Sequence, residues 1–151
     1  LFGGCAEIGG ILGATGPAGR KALREYGHNL GVAFQVVDDL LDLTGSEESL
    51  GKPIASDLRE GKLTLPVIHL MQHAGGTVRA AVADVVRDRQ VTPDRWQVIA
   101  GGLAECRSLD YAYHRATEYG ERAKASLAPM PGGPERDGLM ALSDYVLSRD
   151  R

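Results

Sequence analysis

The sequence predicts an all-α fold, and two observations carry that prediction. Apolar residues recur at intervals of three and four along most of the 151 residues, the repeat of a helix with one buried face. Alternating runs of β-branched residues, the mark of a half-buried strand, are missing. At this length one domain with a real core can form, and the balance of apolar and charged residues is that of a water-soluble globule.

Taken in order, Leu1 to Leu12 is rich in Gly and Ala, which lets one helix backbone approach another closely, and Gly13 to Gly16 breaks it. Pro17 suits the first turn of the next helix. That helix is predicted over Ala18 to Leu43, with Leu23, Tyr26, Leu30, Phe34, Val37 and Leu41 as its apolar stripe, and Thr44 and Gly45 end it. Gly45 to Gly61 turns polar, too long and too broken by Gly51 and Pro53 for a simple helix connection. Helices are predicted again over Leu63 to His73 and Thr77 to Arg89. Thr92-Pro93-Asp94 reads as a helix start, with Thr as N-cap and Pro at the first helical position. Two more follow, over Leu109 to Leu127 and Pro134 to Leu147, separated by the breaker stretch Pro129 to Pro134.

Composition removes several classes of function. The net charge is −3 and the Lys and Arg residues are scattered, so there is no basic patch for gripping a nucleic acid backbone. Cys5 and Cys106 stand alone without CxxC spacing, against a structural zinc site or a secreted disulfide framework, and a reducing cytoplasm is the expected location. No run of about 18 apolar residues suggests a membrane span. The opening Leu1-Phe2-Gly3-Gly4-Cys5 has neither the basic region of a signal peptide nor an initiator Met, and a longer native chain is expected.

The sharpest chemical feature is acidic. In Phe34-Gln35-Val36-Val37-Asp38-Asp39-Leu40-Leu41-Asp42, the first and last Asp are four residues apart, which on a helix stacks them on one face about 6 Å apart. Asp39 lies beside them. Three carboxylates set among Val36, Val37, Leu40 and Leu41 repel one another with little screening, so a cation should compensate. Hard oxygen ligands of this kind suit Mg²⁺, which keeps several waters and bridges a few carboxylates to the phosphates of a substrate. A solvated acidic helix face is the plainer alternative. Against it stand Lys52 and Lys62, in Gly51-Lys52 and Gly61-Lys62, two ammoniums placed downstream as point-charge partners for phosphate.

Together Gly31 through Asp42, Leu50-Gly51-Lys52, Ser56-Asp57-Leu58 and Glu60-Gly61-Lys62-Leu63-Thr64-Leu65-Pro66 resemble the second aspartate-rich region of the trans-isoprenyl diphosphate synthases. Weaker matches extend from Leu1 through Cys5 to Gly10 and Tyr26-Gly27, and on to Leu139, Leu142, Tyr145-Val146 and Arg149. The resemblance implies the all-α helical bundle of isoprenoid synthases, with residues 1 to 151 as the C-terminal part of a polyprenyl synthetase domain. It implies a Mg²⁺-dependent prenyltransferase that condenses isopentenyl diphosphate with an allylic prenyl diphosphate. Asp38, Asp39 and Asp42 would hold metal, Lys52 and Lys62 would contact the departing diphosphate, and Gln35 would sit near the reacting carbons. Phe34 would line the isoprenoid channel, and Asp57 would support the metal from a second layer. The first aspartate-rich motif, its Arg pair and a Lys-Thr before Leu1 are absent, so the chain alone is expected not to turn over. Homodimers are the assembly the resemblance implies for the full-length protein.

Two other readings are open: a non-catalytic subunit that binds prenyl diphosphate beside a catalytic partner, and a terpene cyclase of related fold. The intact Asp38, Asp39, Asp42 and Lys52 disfavour the first, and the Phe34-Gln35 and Asp42 pattern disfavours the second. His69 and His73 share a helix face, but the Glu of a zinc-protease motif is missing between them. The glycines from Gly9 to Gly19 match no phosphate-cradling motif and read as close helix packing. Trp96, Tyr111, Tyr113 and Tyr119 read as core or partly buried surface, and Cys5 and Cys106 as buried small hydrophobes.

Overall fold

The computed structural model describes residues 1–45 and 54–149, and among them are eight helices and no strand. In chain order these are α1 (Phe2–Leu12), α2 (Pro17–Thr44), α3 (Ser56–Arg59), α4 (Leu65–His73), α5 (Gly76–Asp88), α6 (Pro93–Glu105), α7 (Ser108–Ser126) and α8 (Pro134–Ser148). No helix among the described residues is long and apolar enough to cross a membrane.

The helix starts follow the local chemistry. Pro opens α2 and α8 and stands in the first turn of α4 and α6, where its missing N–H costs nothing. Thr92 caps α6 as the sequence predicts, its hydroxyl accepting the Arg95 N–H at 3.4 Å. The four-residue α3 lies inside the stretch predicted to be polar connection, too short to show a helical repeat in sequence.

The chain divides into two compact units, one of Leu1–Val37 with His114–Arg151 and one of Asp38–Tyr113. In the first, Tyr26, Leu30 and Ala33 of α2 pack with Ala123 of α7, Leu127 just after it and Val146 of α8. The Tyr26 hydroxyl donates to the Leu139 carbonyl at 2.8 Å, which satisfies its polar end within this core. In the second, Leu43, Ala55, Leu58, Val67, Leu70, Val82, Val85, Ile99 and Leu103 form the core, with Trp96 and Cys106 packed at its edge.

Two expectations about burial need correction. The buried stripe of α2 runs through Tyr26, Leu30, Ala33, Val37 and Leu40, not through Phe34 and Leu41, which are only half-buried. Steps of four drift off a helix face of 3.6 residues per turn, and Ala33 restores the register. Cys5 is exposed, not buried. Gly3 and Gly10 are among the α1 residues against α2, where added Cβ atoms would lie 3.2 Å from the Arg24 carbonyl oxygen and 3.0 Å from Leu23. Two residues on from Gly3, Cys5 points about 200° away around the helix.

The predicted close approach of α1 and α2 is present and sharp. A Cβ on Gly27 would stand 2.5 Å from the Phe2 carbonyl oxygen, so no other residue fits there without moving backbone. Gly10 and Gly19 also meet neighbours closely, whereas Gly9 and Gly16 face open space.

Candidate functional site

In the first unit, Phe34 and Gln35 lie on α2 where it meets Phe2 of α1. The Phe34 and Phe2 rings stand 5.3 Å apart, and the Arg149 guanidinium lies over the Phe34 ring at 4.9 Å. Phe34 lines an apolar groove of about 350 Å³ with Phe2, Leu30, Leu142 and Tyr145, and Arg149 at its rim. A second hollow of about 540 Å³ is lined by residues of α1 and α2, and Phe34 and the exposed Gln35 border it.

In the second unit, the carboxylates occupy the last turns of α2, and they are not equivalent. Asp38 and Asp39 are partly exposed, while Asp42 is 1% exposed. Asp42 joins α2 to the entry of α3 twice. Its Oδ2 accepts the Asp57 N–H at 3.0 Å and its carbonyl accepts the Ala55 N–H at 2.8 Å. Ala55 adopts φ 55°, a left-handed conformation that turns the chain into α3.

Asp57 passes the connection on. Its carboxylate accepts from Lys62 Nζ at 3.2 Å, its carbonyl accepts the Lys62 N–H at 2.8 Å, and Glu60 pairs with the same ammonium at 2.6 Å. Hydrogen bonds to Glu60 and Asp57 raise the Lys62 pKa above its ordinary value. The structure thus brings together Asp42, Asp57 and Lys62, residues 42, 57 and 62 of the chain. Lys52 lies outside the described residues.

No three His, Cys, Asp or Glu side chains among the described residues converge as a ready-made metal cage. Mg²⁺ does not require one, since it takes one or two carboxylates and completes its shell with water and substrate phosphates. Asp38 and Asp39, oxygen donors with access to water, fit that mode, while Asp42 gives one oxygen to the Asp57 amide.

Sequence reasoning did not foresee that Asp42 anchors α3, because a carboxylate reads alike as ligand or as backbone acceptor until its partner is located. His69 and His73 stack at 4.1 Å, with Tyr111 on the far face of His69 at 4.3 Å. The His69 Nδ1 meets the Ser108 hydroxyl at 3.0 Å, and the His73 Nδ1 donates to the His69 carbonyl at 2.8 Å.

Residues 1–100 match the family model described as polyprenyl synthetase. The chain is 36% identical over 151 residues to an octaprenyl diphosphate synthase of Escherichia coli, covering 100% of this chain and 46% of that protein. It is 37% identical over 150 residues to a geranylgeranyl diphosphate synthase of Methanosarcina mazei, covering 99% and 44%. Its fold superposes on a polyprenyl synthase from Caulobacter crescentus, solved with calcium and isoprenyl diphosphate, with a TM-score of 0.89. That match has 34% identity over 99% of this chain and 46% of the other. The chain therefore spans about half the length of the relatives it matches.

Proposed function

Because this chain belongs to the polyprenyl synthetase family, we propose that the complete protein is a prenyltransferase that condenses isopentenyl diphosphate with an allylic prenyl diphosphate. The observation that carries the reading is the run from Asp42 through Asp57 to Lys62, which brings one acidic residue of α2, one of α3 and a cation of the following turn into one bonded set. Oxygen donors for a dication and an ammonium for phosphate are the two groups that a diphosphate leaving group calls for.

Breaking an allylic C–O bond develops positive charge on carbon and negative charge on diphosphate. Asp38 and Asp39, together with Asp42, would hold Mg²⁺, which would neutralise that negative charge. Lys62, paired with Glu60 and Asp57, is proposed to add a positive charge, and Lys52 to do the same. Asp57 holds Lys62 by its carboxylate and Asp42 by its amide, so its part is orientation. The apolar groove beside Phe34 is proposed to receive the isoprenoid chain. Gln35, at the edge of the neighbouring hollow, is proposed to meet the reacting carbons.

The part of the protein that its relatives have and this chain lacks is proposed to carry the facing aspartate-rich motif, and the complete protein to act as a cytoplasmic homodimer. The test is a condensation assay on the complete protein with Mg²⁺, isopentenyl diphosphate and allylic diphosphates of increasing length. Chain-extended products with matching release of diphosphate are expected. Binding of both diphosphates without any extended product would reject the catalytic reading and leave a prenyl diphosphate-binding subunit.

A further inference from the structure

Arg89 follows the last residue of α5 and adopts φ 56° and ψ 30°. This left-handed position after a helix is one that glycine fills at least cost. Its amide closes the helix on the Val85 carbonyl at 2.8 Å, a bond that any residue there makes. The side chain makes contacts that glycine cannot. Its Nη1 donates to the Arg59 carbonyl, the last of α3, at 3.4 Å. A Cβ built on Gly61 would stand 2.3 Å from Nη1 and 2.9 Å from Cζ of Arg89, so the guanidinium lies against the Gly61 backbone. Gly61 has φ +83°, a conformation that disfavours any side chain there.

Arg59 and Gly61 flank Glu60, and Lys62 follows. Glu60 and Asp57 are the two carboxylates that hold the Lys62 ammonium, at 2.6 and 3.2 Å. The turn is also closed by the Gly61 N–H on the Leu58 carbonyl at 2.9 Å and the Lys62 N–H on the Asp57 carbonyl at 2.8 Å. Arg89, the residue after α5, thus bears on the two residues either side of Glu60.

We propose that Arg89 is a positioning residue for Lys62: laid across Gly61 and bonded to the Arg59 carbonyl, its guanidinium fixes the turn that aims the Lys62 ammonium. The effect on catalysis rests on the reading of Lys62 as a diphosphate contact, whereas the effect on the geometry of Lys62 does not.

Arg89→Gly in the complete protein separates aiming from folding, because glycine suits the left-handed cap while taking away the whole side chain with its guanidinium. Two quantities are read. The first is the rate at which Lys62 is acylated by an amine-directed reagent, measured by peptide mass spectrometry. The second is KM for each diphosphate substrate, in the wild-type and Lys62→Ala backgrounds. With the turn loosened, Lys62 loses carboxylate pairing and is acylated about three- to ten-fold faster, while the melting temperature holds or rises. KM for one diphosphate rises by a similar factor in the wild-type background and not at all in Lys62→Ala. Unchanged acylation of Lys62, or an equal rise in KM in both backgrounds, overturns the proposal. If Lys62→Ala itself leaves kcat and KM untouched, the diphosphate reading of Lys62 falls, and the acylation rate alone decides whether Arg89 aims it.

Discussion

Replacing Asp42 by Ala removes the acceptor that ties the last turn of α2 to α3. The bond at stake runs from the Asp57 N–H to Oδ2 at 3.0 Å, in a residue 1% exposed. A hydrogen bond to an ionised group contributes about 1.5–3 kcal/mol. The second link, from the Ala55 N–H to the Asp42 carbonyl, is backbone and survives the substitution. At about 2–4 °C per kcal/mol for a chain of this size, the melting temperature should fall by about 3–12 °C. Asp42→Asn keeps an acceptor of the same shape, and neutral bonds are about half as strong, so about half of the loss is expected. Thermal melts followed by circular dichroism give the size of the effect, and amide hydrogen exchange gives its place. The Asp57 amide should lose protection in Asp42→Ala, while amides in the middle of α7 follow only the global stability. An Asp57 amide as protected in Asp42→Ala as in the wild type, with an unchanged melting temperature, would show that this carboxylate anchors nothing.

Gly27→Ala sets a new Cβ 2.5 Å from the Phe2 carbonyl oxygen and 2.8 Å from its carbon, and backbone cannot yield cheaply. A loss of about 1–3 kcal/mol is expected in urea melts, whereas Gly9→Ala, with nothing within 4 Å, should gain about 0.5–1 kcal/mol. Equal effects of the two would contradict the packing of α1 on α2. The His69 imidazole titrates below its ordinary value, first because burial disfavours its charge and then because His73 lies beside it. As pH falls the unfolded chain protonates first, so this contribution to stability is full above pH 6.5 and is lost as pH drops from there through the lower folded value. Melting temperatures across that window, flattened by His69→Gln, check the slope, and a His69 resonance titrating above the ordinary value would refute it.

The sequence exposes the features that depend on spacing along one helix. The length of α2, the Thr92 cap, the breaks at Gly13 and Pro129, and the acidic and apolar residues of Phe34 to Asp42 all follow from local periodicity and capping. Features that depend on which segments meet were hidden. The role of Ala33 in the core shows only once α2 is seen against α7 and α8, because alanine carries little hydrophobic signal of its own. Cys5 looked buried by residue type and is exposed by its angle on α1. The bond between Asp42 and the Asp57 amide spans fifteen residues, and no pattern in sequence marks a carboxylate that accepts from a distant backbone. Arg89 gave no signal either, since a left-handed arginine after a helix looks in sequence like any other basic residue near a helix end.

The most direct test of the metal and diphosphate reading is calorimetry on the complete protein, titrated with a non-hydrolysable prenyl diphosphate with and without Mg²⁺. Binding should require Mg²⁺ and should weaken about ten-fold or more when Asp38→Asn and Asp39→Asn are combined, the loss of two charge-assisted ligands. An affinity that is the same without Mg²⁺, or the same in the double variant, would contradict the assignment of these carboxylates.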